Sequence, residues 1–212
     1  RLGGLHSAPL ILYSVDFHEI EQYQRADAWD AAGASLAAAA RALESAGADF
    51  LVLCTNTMHR VAPAIEAAVR IPLLHIADPT AEAIRRAGFS AVGLLGTRFT
   101  MEHSFYRDRI RDRHGLRVLI PDERDRSVVH RVIYEELCLG KTLDASRDAY
   151  RGVVARLVAQ GAEAIILGCT EISLLLGQHD CAVPLFDTTR IHARSAAARA
   201  LGSGSGPVDQ EQ

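Results

Sequence analysis

Short apolar runs alternate along the chain with longer segments in which apolar residues recur every three or four positions. The short runs are mostly apolar on both faces, as the strands of a buried parallel sheet are. They cover residues 9–15, 50–54, 72–76, 91–95, 118–120, 164–168 and 183–186. The longer segments are typical of helices and cover residues 28–46, 57–70, 79–87, 123–139, 145–160 and 189–201. This alternation predicts an α/β fold with mostly parallel sheets flanked by helices.

An internal repeat links two of the predicted strands. Residues 47–55 align without a gap on residues 161–169, and each segment runs from a helix stop through an acidic residue and a buried strand to a polar turn. Two βαβ units that merely look alike would explain this match, and so would two homologous lobes related by a pseudo-twofold axis. Ligands of parallel α/β sheets bind beyond the carboxyl ends of the strands. Two such lobes would therefore place Thr55 and Cys169 on opposite walls of one cleft.

The repeat also predicts a division of the chain into domains. We expect a first lobe over residues 1–90, completed by a helix over residues 188–201, and a second lobe over residues 91–187. Residues 202–212 are mostly Gly, Ser and acidic or amide residues, which predicts a disordered tail. The chain begins with Arg1 rather than methionine and reaches its first predicted strand at residue 9. We therefore expect that the sequence lacks a natural N-terminus.

The composition is that of a water-soluble globular protein, with 49% of the 212 residues hydrophobic and 23% charged. A net charge of −3 and an aromatic content of 6% provide neither a cationic surface nor stacking platforms for nucleic acid. No apolar run approaches the roughly 20 residues that cross a bilayer, and no secretory pattern is present. We expect a cytoplasmic protein with no nucleic-acid partner and no membrane association.

The four cysteines predict thiol chemistry rather than disulfides or a metal site. In a chain of this length without an export signal they are expected to be reduced. They show no C-x-x-C spacing, and the nine histidines show no H-x-x-x-H or H-E-x-x-H pattern, so no metal site is predicted. Cys169 stands at a predicted junction of strand, turn and helix, where a helix start and nearby donors would favour its thiolate. The alternative for Cys169 is a small hydrophobe packed at a strand end.

Two motifs resemble the paired signatures of the aspartate/glutamate racemase family. They are L-C-T-N-T-M-H at residues 53–59 and L-G-C-T-E-I at residues 167–172, and the likeness extends over essentially the whole chain. The resemblance implies two similar α/β lobes with the active site in the cleft between them. It also implies a homodimer that racemises a small amino acid, with no pyridoxal phosphate, other cofactor or metal. Family members usually begin with a further strand and a glycine-rich loop, so the resemblance implies that the first lobe lacks its N-terminal strand.

The resemblance assigns roles to individual residues. Cys169 matches the catalytic cysteine of the second lobe, which removes or returns a proton at the α-carbon. Asn56, Thr57 and Thr170 match the residues that hold the substrate's α-carboxylate and ammonium. Lys141 is the only lysine among the 23 basic residues, and the resemblance pairs it with the distal carboxylate of the substrate. A solvated surface cation after Gly140 is the other interpretation of Lys141.

Two further hydroxyl residues are candidates for the substrate site. Thr97 and Ser14 lie at or just after the ends of predicted strands, on the expected cleft side. For both, an ordinary hydroxyl in a turn or strand is the alternative.

Thr55 departs from the family pattern. The family has its first catalytic cysteine directly before Asn-Thr, whereas this chain has Thr55 there and Cys54 one position earlier. Adjacent side chains of a strand point to opposite faces, so we predict that Cys54 packs in the core and that Thr55 faces Cys169. A hydroxyl is a far poorer base than a thiolate. The resemblance therefore implies an aspartate or glutamate racemase that prefers the L-enantiomer, with Cys169 as the base and Thr55 opposite.

Two other functions remain open at this stage. A single cysteine in the second lobe also suits a cofactor-independent decarboxylase of malonates, which delivers one proton to one face of an enolate. A descendant that binds amino acids without catalysis would keep the cleft and lose the chemistry. Deuterium exchange at the α-carbon separates a racemase from a binder, and carbon dioxide release identifies a decarboxylase.

Overall fold

A computed structural model describes Leu5 and residues 7–202, and it confirms a mixed α/β fold with parallel sheets flanked by helices. The first of its two sheets pairs β1 (Leu51–Val52) with β2 (Leu73–Leu74). The second has the strand order β4-β3-β5-β6, and all of its pairs are parallel. Its strands are β3 (Ala91–Gly96), β4 (Arg117–Leu119), β5 (Ala164–Gly168) and β6 (Leu185–Asp187).

Helices precede, separate and follow these strands along the chain. The α-helices are α1 (Phe17–Arg25), α2 (Trp29–Ser45), α3 (Ala62–Ala68), α4 (Ala77–Arg86), α5 (Arg98–Glu102), α6 (Ser104–His114), α7 (Glu123–Glu135), α8 (Asp144–Ala159), α9 (Ile172–Leu175) and α10 (Thr188–Ala200). Short 3₁₀ turns cover Thr57–Val61, Leu137–Leu139 and Gln178–Asp180. Among the described helices, none is long and apolar enough to cross a membrane.

The chain forms two compact units. The smaller contains the described residues up to Leu53, then Val61–His75, then those from Ala193 onward. The larger contains Cys54–Arg60 and Ile76–His192. The lobes predicted from the repeat divide at residue 90, whereas residues 54–60 and 76–90 group with the larger unit. Every candidate site residue except Ser14 belongs to this larger unit.

The core of the larger unit surrounds β3 and β5, and each residue of these two strands is buried. Their parallel register ends at Gly96 opposite Gly168, so the two strands finish at the same edge of the sheet. Helices α7 and α8 contribute fully buried side chains to this core, among them Val129, Tyr150 and Leu157. Polar residues that follow β3 and β5 are thereby brought to one edge.

The smaller unit is built mainly on small side chains. The alanine-rich helix α2 buries Ala32, Ala37 and Ala40 and packs on α3. A Cβ at Gly33 would approach the Ala64 Cβ to 3.2 Å, so the two helices are close where they meet. The guanidinium of Arg199 lies 5.0 Å from the centre of the Phe50 ring.

One predicted strand and several helix boundaries differ from the structure. Residues 9–15 form no strand, and Leu10 and Leu12 are 86% and 78% exposed. Their apolar pattern fits a strand, but a strand needs a hydrogen-bonded neighbour, and none pairs with this segment in the described chain. The helix predicted over residues 123–139 ends at Glu135, where the backbone turns before Leu137–Leu139. The predicted tail, apart from Gly202, lies outside the described residues.

Candidate active site

Three threonines join the turn after β1 to the end of β3. The Thr57 hydroxyl lies 2.9 Å from the Thr97 hydroxyl and 3.1 Å from that of Thr100. Thr97 also begins α5, since its Oγ1 accepts the Thr100 backbone N–H at 3.3 Å. All three side chains are buried. The structure thus brings the candidates Thr57 and Thr97 together.

A second chain of hydrogen bonds joins the same turn to the end of β5. Asn56 Nδ2 donates to Thr188 Oγ1 at 3.0 Å, and the Thr188 hydroxyl donates to the Leu167 carbonyl at 2.8 Å. Leu167 stands two positions before Cys169. Asn56 is 3% exposed, yet its Oδ1 accepts no hydrogen bond from any of the residues that the structure describes. A buried carbonyl oxygen of this kind is costly to leave unpaired, so it is an available acceptor for a ligand's donor.

Cys169 contacts a carboxylate directly after β5. Its thiol donates to Glu171 Oε2 at 2.9 Å. Burial raises the pKa of Cys169 well above its usual range, and the charge of Glu171 and this hydrogen bond raise the pKa further. The sequence predicted a thiolate favoured by a helix start, but α9 has only four residues and the dominant effect is loss of solvation. The expected shift of the Cys169 pKa is therefore wrong in direction, because its surroundings favour the protonated thiol.

His59 fixes the backbone at Thr55. Its Nδ1 donates to the Thr55 carbonyl at 2.7 Å, while its Nε2 accepts the Ile76 backbone N–H at 3.1 Å. Burial lowers the pKa of His59 to about 3, so the ring is neutral and held in one tautomer. The Thr55 side chain itself is half-buried. His59 is the last residue of the first motif, four residues after Thr55. This position in the motif was the available indication that His59 contacts the Thr55 backbone.

The other predicted residues differ in their surroundings. Thr170 is half-buried directly after Cys169. Lys141 is exposed in the loop after Gly140, whose φ of 72° ends the 3₁₀ turn, and its backbone N–H donates to the Glu136 carbonyl at 2.9 Å. Ser14 belongs to the smaller unit, in an exposed segment without regular structure.

Cys54 does not pack in the core. The structure places it in an exposed position. Strand β1 ends at Val52, two residues before Cys54. The alternation of a strand, on which the prediction of a core position depended, therefore no longer applies there.

Glu171 and Cys138 are two residues near the candidate base to which the sequence assigned no role. Glu171 belongs to the motif G-C-T-E, and its spacing of two from Cys169 was the available signal. Cys138 lies in the 3₁₀ turn Leu137–Leu139, which packs on α9. Burial, and then the charge of Glu171, raise the pKa of Cys138 to about 11. The raised pKa values favour the protonated thiol for both Cys138 and Cys169 at neutral pH.

These side chains are suited to proton transfer at a carbon atom of a small molecule that polar side chains bind. One thiol with a carboxylate beside it, several hydroxyls and an unpaired amide oxygen belong to the same compact unit. Across the part of the chain that the structure describes, no group of three or more His, Cys, Asp or Glu side chains could hold a metal ion.

Comparison with known proteins decides the family. A model of the family described as Asp/Glu/Hydantoin racemase matches residues 1–196. The chain belongs to this family. Membership places the protein among the racemases, which are isomerases.

Three relatives support this assignment. A crystal structure of a candidate Asp/Glu racemase from Yersinia pestis is 58% identical, covers 94% of this chain and 87% of its own, and has a TM-score of 0.88. An aspartate racemase homologue from Pyrococcus horikoshii OT3 is 34% identical, with 95% and 87% covered and a TM-score of 0.81. The broad specificity amino-acid racemase RacX of Bacillus subtilis (strain 168) is 27% identical over 161 residues, which is 75% of this chain and 68% of RacX.

Proposed function

We propose that the protein racemises aspartate or glutamate without a cofactor and prefers the L-enantiomer. Cys169 removes the α-hydrogen, and Thr55 stands on the opposite face of the α-carbon. The observation that supports this proposal is a pair of hydrogen bonds, from Asn56 to Thr188 and from Thr188 to the Leu167 carbonyl. These bonds connect the turn that contains Thr55 to the end of β5, directly before Cys169. Family membership supplies the reaction type.

The polar groups around the turn account for substrate binding. The unpaired Asn56 Oδ1 is the acceptor for the substrate's ammonium, which donates up to three hydrogen bonds. The hydroxyls of Thr57 and Thr170 donate to the α-carboxylate. These donors stabilise the negative charge that develops there when the α-hydrogen leaves. Lys141 would reach the distal carboxylate from its exposed loop.

The enantiomer preference follows from unequal bases. A thiol titrates several pH units below an aliphatic hydroxyl, so Cys169 can be made into a base and Thr55 cannot. Thr55 can still donate or relay a proton to the carbanion. We therefore propose fast exchange of the α-hydrogen from the L-substrate and slow exchange from the D-substrate.

The test is deuterium exchange at the α-carbon in heavy water, measured by proton NMR for both enantiomers of aspartate, glutamate and a panel of other amino acids. Exchange from an L-dicarboxylate without added cofactor is expected. Cys169→Ala should abolish the exchange, whereas Cys181→Ala, which removes another half-buried thiol of the same unit, should preserve it. Parental activity in a folded Cys169→Ala protein would exclude Cys169 as the base.

The protonated state of Cys169 favours a second candidate function. A decarboxylase of substituted malonates needs a proton donor rather than a base, and a buried thiol beside a carboxylate is such a donor. Lys141 and the Asn56-Thr57 pair, as amino-acid contacts, favour the racemase. Release of carbon dioxide from a 2-aryl malonate, with no α-exchange of any amino acid, would establish the decarboxylase instead.

A further inference from the structure

We infer that Thr188 is a positioning residue whose hydroxyl orients the Asn56 amide, so that Oδ1 rather than Nδ2 is presented to the substrate's ammonium. The inference rests on the proposed function and names the residue that determines its ammonium contact. Thr188 is 0% exposed, so it acts on the substrate through Asn56 and does not touch the substrate itself.

The backbone places Thr188 beside the end of β5. In the parallel pair of β5 and β6, Leu167 is the register partner of Asp187, and Thr188 follows Asp187 as the first residue of α10. Asp187 Oδ1 accepts the backbone N–H groups of Thr189 and Arg190 at 2.9 and 3.1 Å. Because these bonds satisfy amides at the start of α10, they hold the helix start that carries Thr188.

The direction of two hydrogen bonds fixes the orientation of the Asn56 amide. A backbone carbonyl can only accept, so the Thr188 hydroxyl uses its single hydrogen on the Leu167 oxygen, at 2.8 Å. Thr188 Oγ1 is then an acceptor only, and it accepts Asn56 Nδ2 at 3.0 Å. An amide turned by 180° would bring Oδ1 against Oγ1 with no hydrogen between the two oxygens. The geometry thus selects one of the two amide orientations.

This orientation determines what the Asn56 amide can recognise. With Nδ2 bonded to Thr188, the unpaired group is Oδ1, which accepts no hydrogen bond from the residues that the structure describes. Such an acceptor binds an ammonium and repels a carboxylate or a 2-oxo group. The opposite orientation would offer N–H donors and would favour those oxygen-bearing groups. Thr188 therefore contributes to the choice between an amino acid and an analogue that lacks the amino group.

The hydroxyls near the candidate carboxylate contact form a separate set. Thr57 Oγ1 lies 2.9 Å from Thr97 Oγ1 and 3.1 Å from Thr100 Oγ1. Within the described chain these three hydroxyls bond to one another and not to the side chains of Asn56 or Thr188. Removing the Thr188 hydroxyl should therefore disturb recognition of the ammonium and preserve recognition of the carboxylate.

The experiment is a double-mutant cycle of Thr188→Val and Asn56→Ala, with Thr188→Ser as the conservative variant. The matched control is Thr189→Val, which changes an exposed threonine at the next position of α10. Proton NMR gives kcat and KM for α-exchange of the preferred L-amino acid. Isothermal titration calorimetry gives the Kd of that amino acid and of its deaminated analogue, which is succinate for aspartate and glutarate for glutamate.

Thr188→Val should raise the KM and the Kd of the amino acid by about 2–10-fold, the usual worth of one neutral hydrogen bond, with kcat little changed. The Kd of the deaminated analogue should stay as in the parent, because that molecule has no ammonium. Asn56→Ala should raise the Kd of the amino acid by about 10–100-fold, since the bond to the ammonium itself is lost.

In the Asn56→Ala background, Thr188→Val should have no further effect on the Kd of the amino acid, because no amide remains to be oriented. Thr188→Ser keeps the hydroxyl and should behave as the parent does, and so should the control Thr189→Val.

The outcomes that overturn the inference are distinct. Equal losses of affinity for the amino acid and its deaminated analogue would make Thr188 a purely structural residue. Effects of the two substitutions that simply multiply in the double variant would show that Thr188 does not act through Asn56. Parental affinities in a folded Thr188→Val protein would show that the hydroxyl does not orient the amide.

Asn56→Asp provides a test in which Thr188 is unchanged, should Thr188→Val not fold. Because Thr188 Oγ1 is an acceptor only, a carboxylate at position 56 finds no donor there, and affinity for the amino acid should fall in spite of the added negative charge. A rise in affinity would show that Thr188 can donate to residue 56, which would overturn the inference.

The proposed function can fail independently of this inference. A parent that binds the amino acid more tightly than its deaminated analogue, loses this preference in Thr188→Val and shows no α-exchange would overturn the racemase and support the inference. A parent that exchanges the α-hydrogen, with a KM that Thr188→Val leaves unchanged, would do the reverse. A parent that binds no amino acid would overturn both.

Discussion

At the residue scale, the internal repeat carries a thiol in one motif and a hydroxyl in the other, Cys169 and Thr55. The alignment of the two motifs predicted this pairing and separated Thr55 from the nearby Cys54. It could not predict the hydrogen bond from the Cys169 thiol to Glu171, because that contact depends on the turn at residues 169–171 before the four-residue helix α9. The sequence shows which residues neighbour Cys169 along the chain, whereas the backbone conformation determines which of their side chains contact it.

Thr55→Cys tests whether the hydroxyl sets the enantiomer preference. Exchanging one hydroxyl and one methyl for a thiol is a small change at a half-buried position, so the fold should persist. The new thiol should confer measurable α-exchange on the D-enantiomer, because a second group able to become a base then faces the α-carbon. We would measure exchange from D- and L-substrate separately. A folded variant that keeps L-activity and still ignores the D-form would show that another feature selects the enantiomer.

Lys141→Met tests recognition of the distal carboxylate. The KM for aspartate or glutamate should rise about tenfold or more, as expected when a hydrogen bond to a charged group is lost. The KM for an amino acid with an uncharged side chain should change little. Arg151→Met, which removes an exposed cation from α8, is the matched control and should leave both values unchanged. An equal rise for both substrate classes would return Lys141 to the role of a surface cation.

At the scale of elements, the long periodic segments were predicted well and the short or highly charged ones were not. Helix α2 carries a continuous apolar face, and β5 is found at its predicted bounds. Helix α6 was missed because six of its eleven residues are Arg or Asp and only Tyr106 and Ile110 are buried, which leaves a weak periodic signal. The strand predicted over residues 9–15 failed for a different reason: pairing depends on a partner that no local pattern contains.

Gly168→Ala tests the close contact at the ends of β3 and β5. A Cβ at Gly168 would lie 2.9 Å from the Leu95 carbonyl oxygen and 2.8 Å from Leu94 Cδ1. The leucine methyl can rotate away but the backbone oxygen cannot, so the change should lower the free energy of unfolding by about 1–3 kcal/mol. Denaturant unfolding measures this loss. This contact also explains why the repeat has Gly168 where the first motif has Cys54.

Gly152→Ala is the matched control for that variant. Its Cβ would meet only the flexible end of Arg156, at 3.4 Å, within helix α8. Because alanine is the better helix former, the free energy of unfolding should rise by up to about 1 kcal/mol. If Gly168→Ala were as stable as this control, the strand ends would be less closely packed than the distances imply.

At the scale of the whole molecule, the candidate site depends on pairs of residues that lie far apart in the sequence. Asn56 and Thr188 are 132 positions apart, and Thr57 is 40 positions from Thr97. The parallel order β4-β3-β5-β6 explains why strand ends meet, and an alternating pattern predicts that much. It does not say which hydroxyl bonds to which, because many arrangements satisfy the same pattern. The site was therefore predicted as a set of residues, and its hydrogen bonds came from the structure.

The stability of the molecule should depend on pH through His59, which is buried between the Thr55 carbonyl and the Ile76 amide. Burial lowers its pKa from 6.5 to about 3, so between these values the unfolded chain binds a proton that the folded protein excludes. The folded state is therefore fully favoured above pH 6.5 and loses stability as the pH falls toward 3. The loss attributable to this residue should be about 2 kcal/mol at pH 5, from roughly 1.4 kcal/mol per pH unit. Urea unfolding between pH 5 and pH 7.5 measures the slope.

His59→Gln should flatten that slope whatever its effect on stability at neutral pH, since glutamine provides a donor and an acceptor but does not titrate in this range. His18→Gln, which alters an exposed histidine of α1, should retain the parental slope. In the parent, the ring protons of His59 should keep their NMR shifts well below pH 6. A His59 that titrates near 6.5 in the folded protein would mean that the ring is not held neutral between Thr55 and Ile76, and the turn that carries Thr55 would then be less firmly held than these contacts imply.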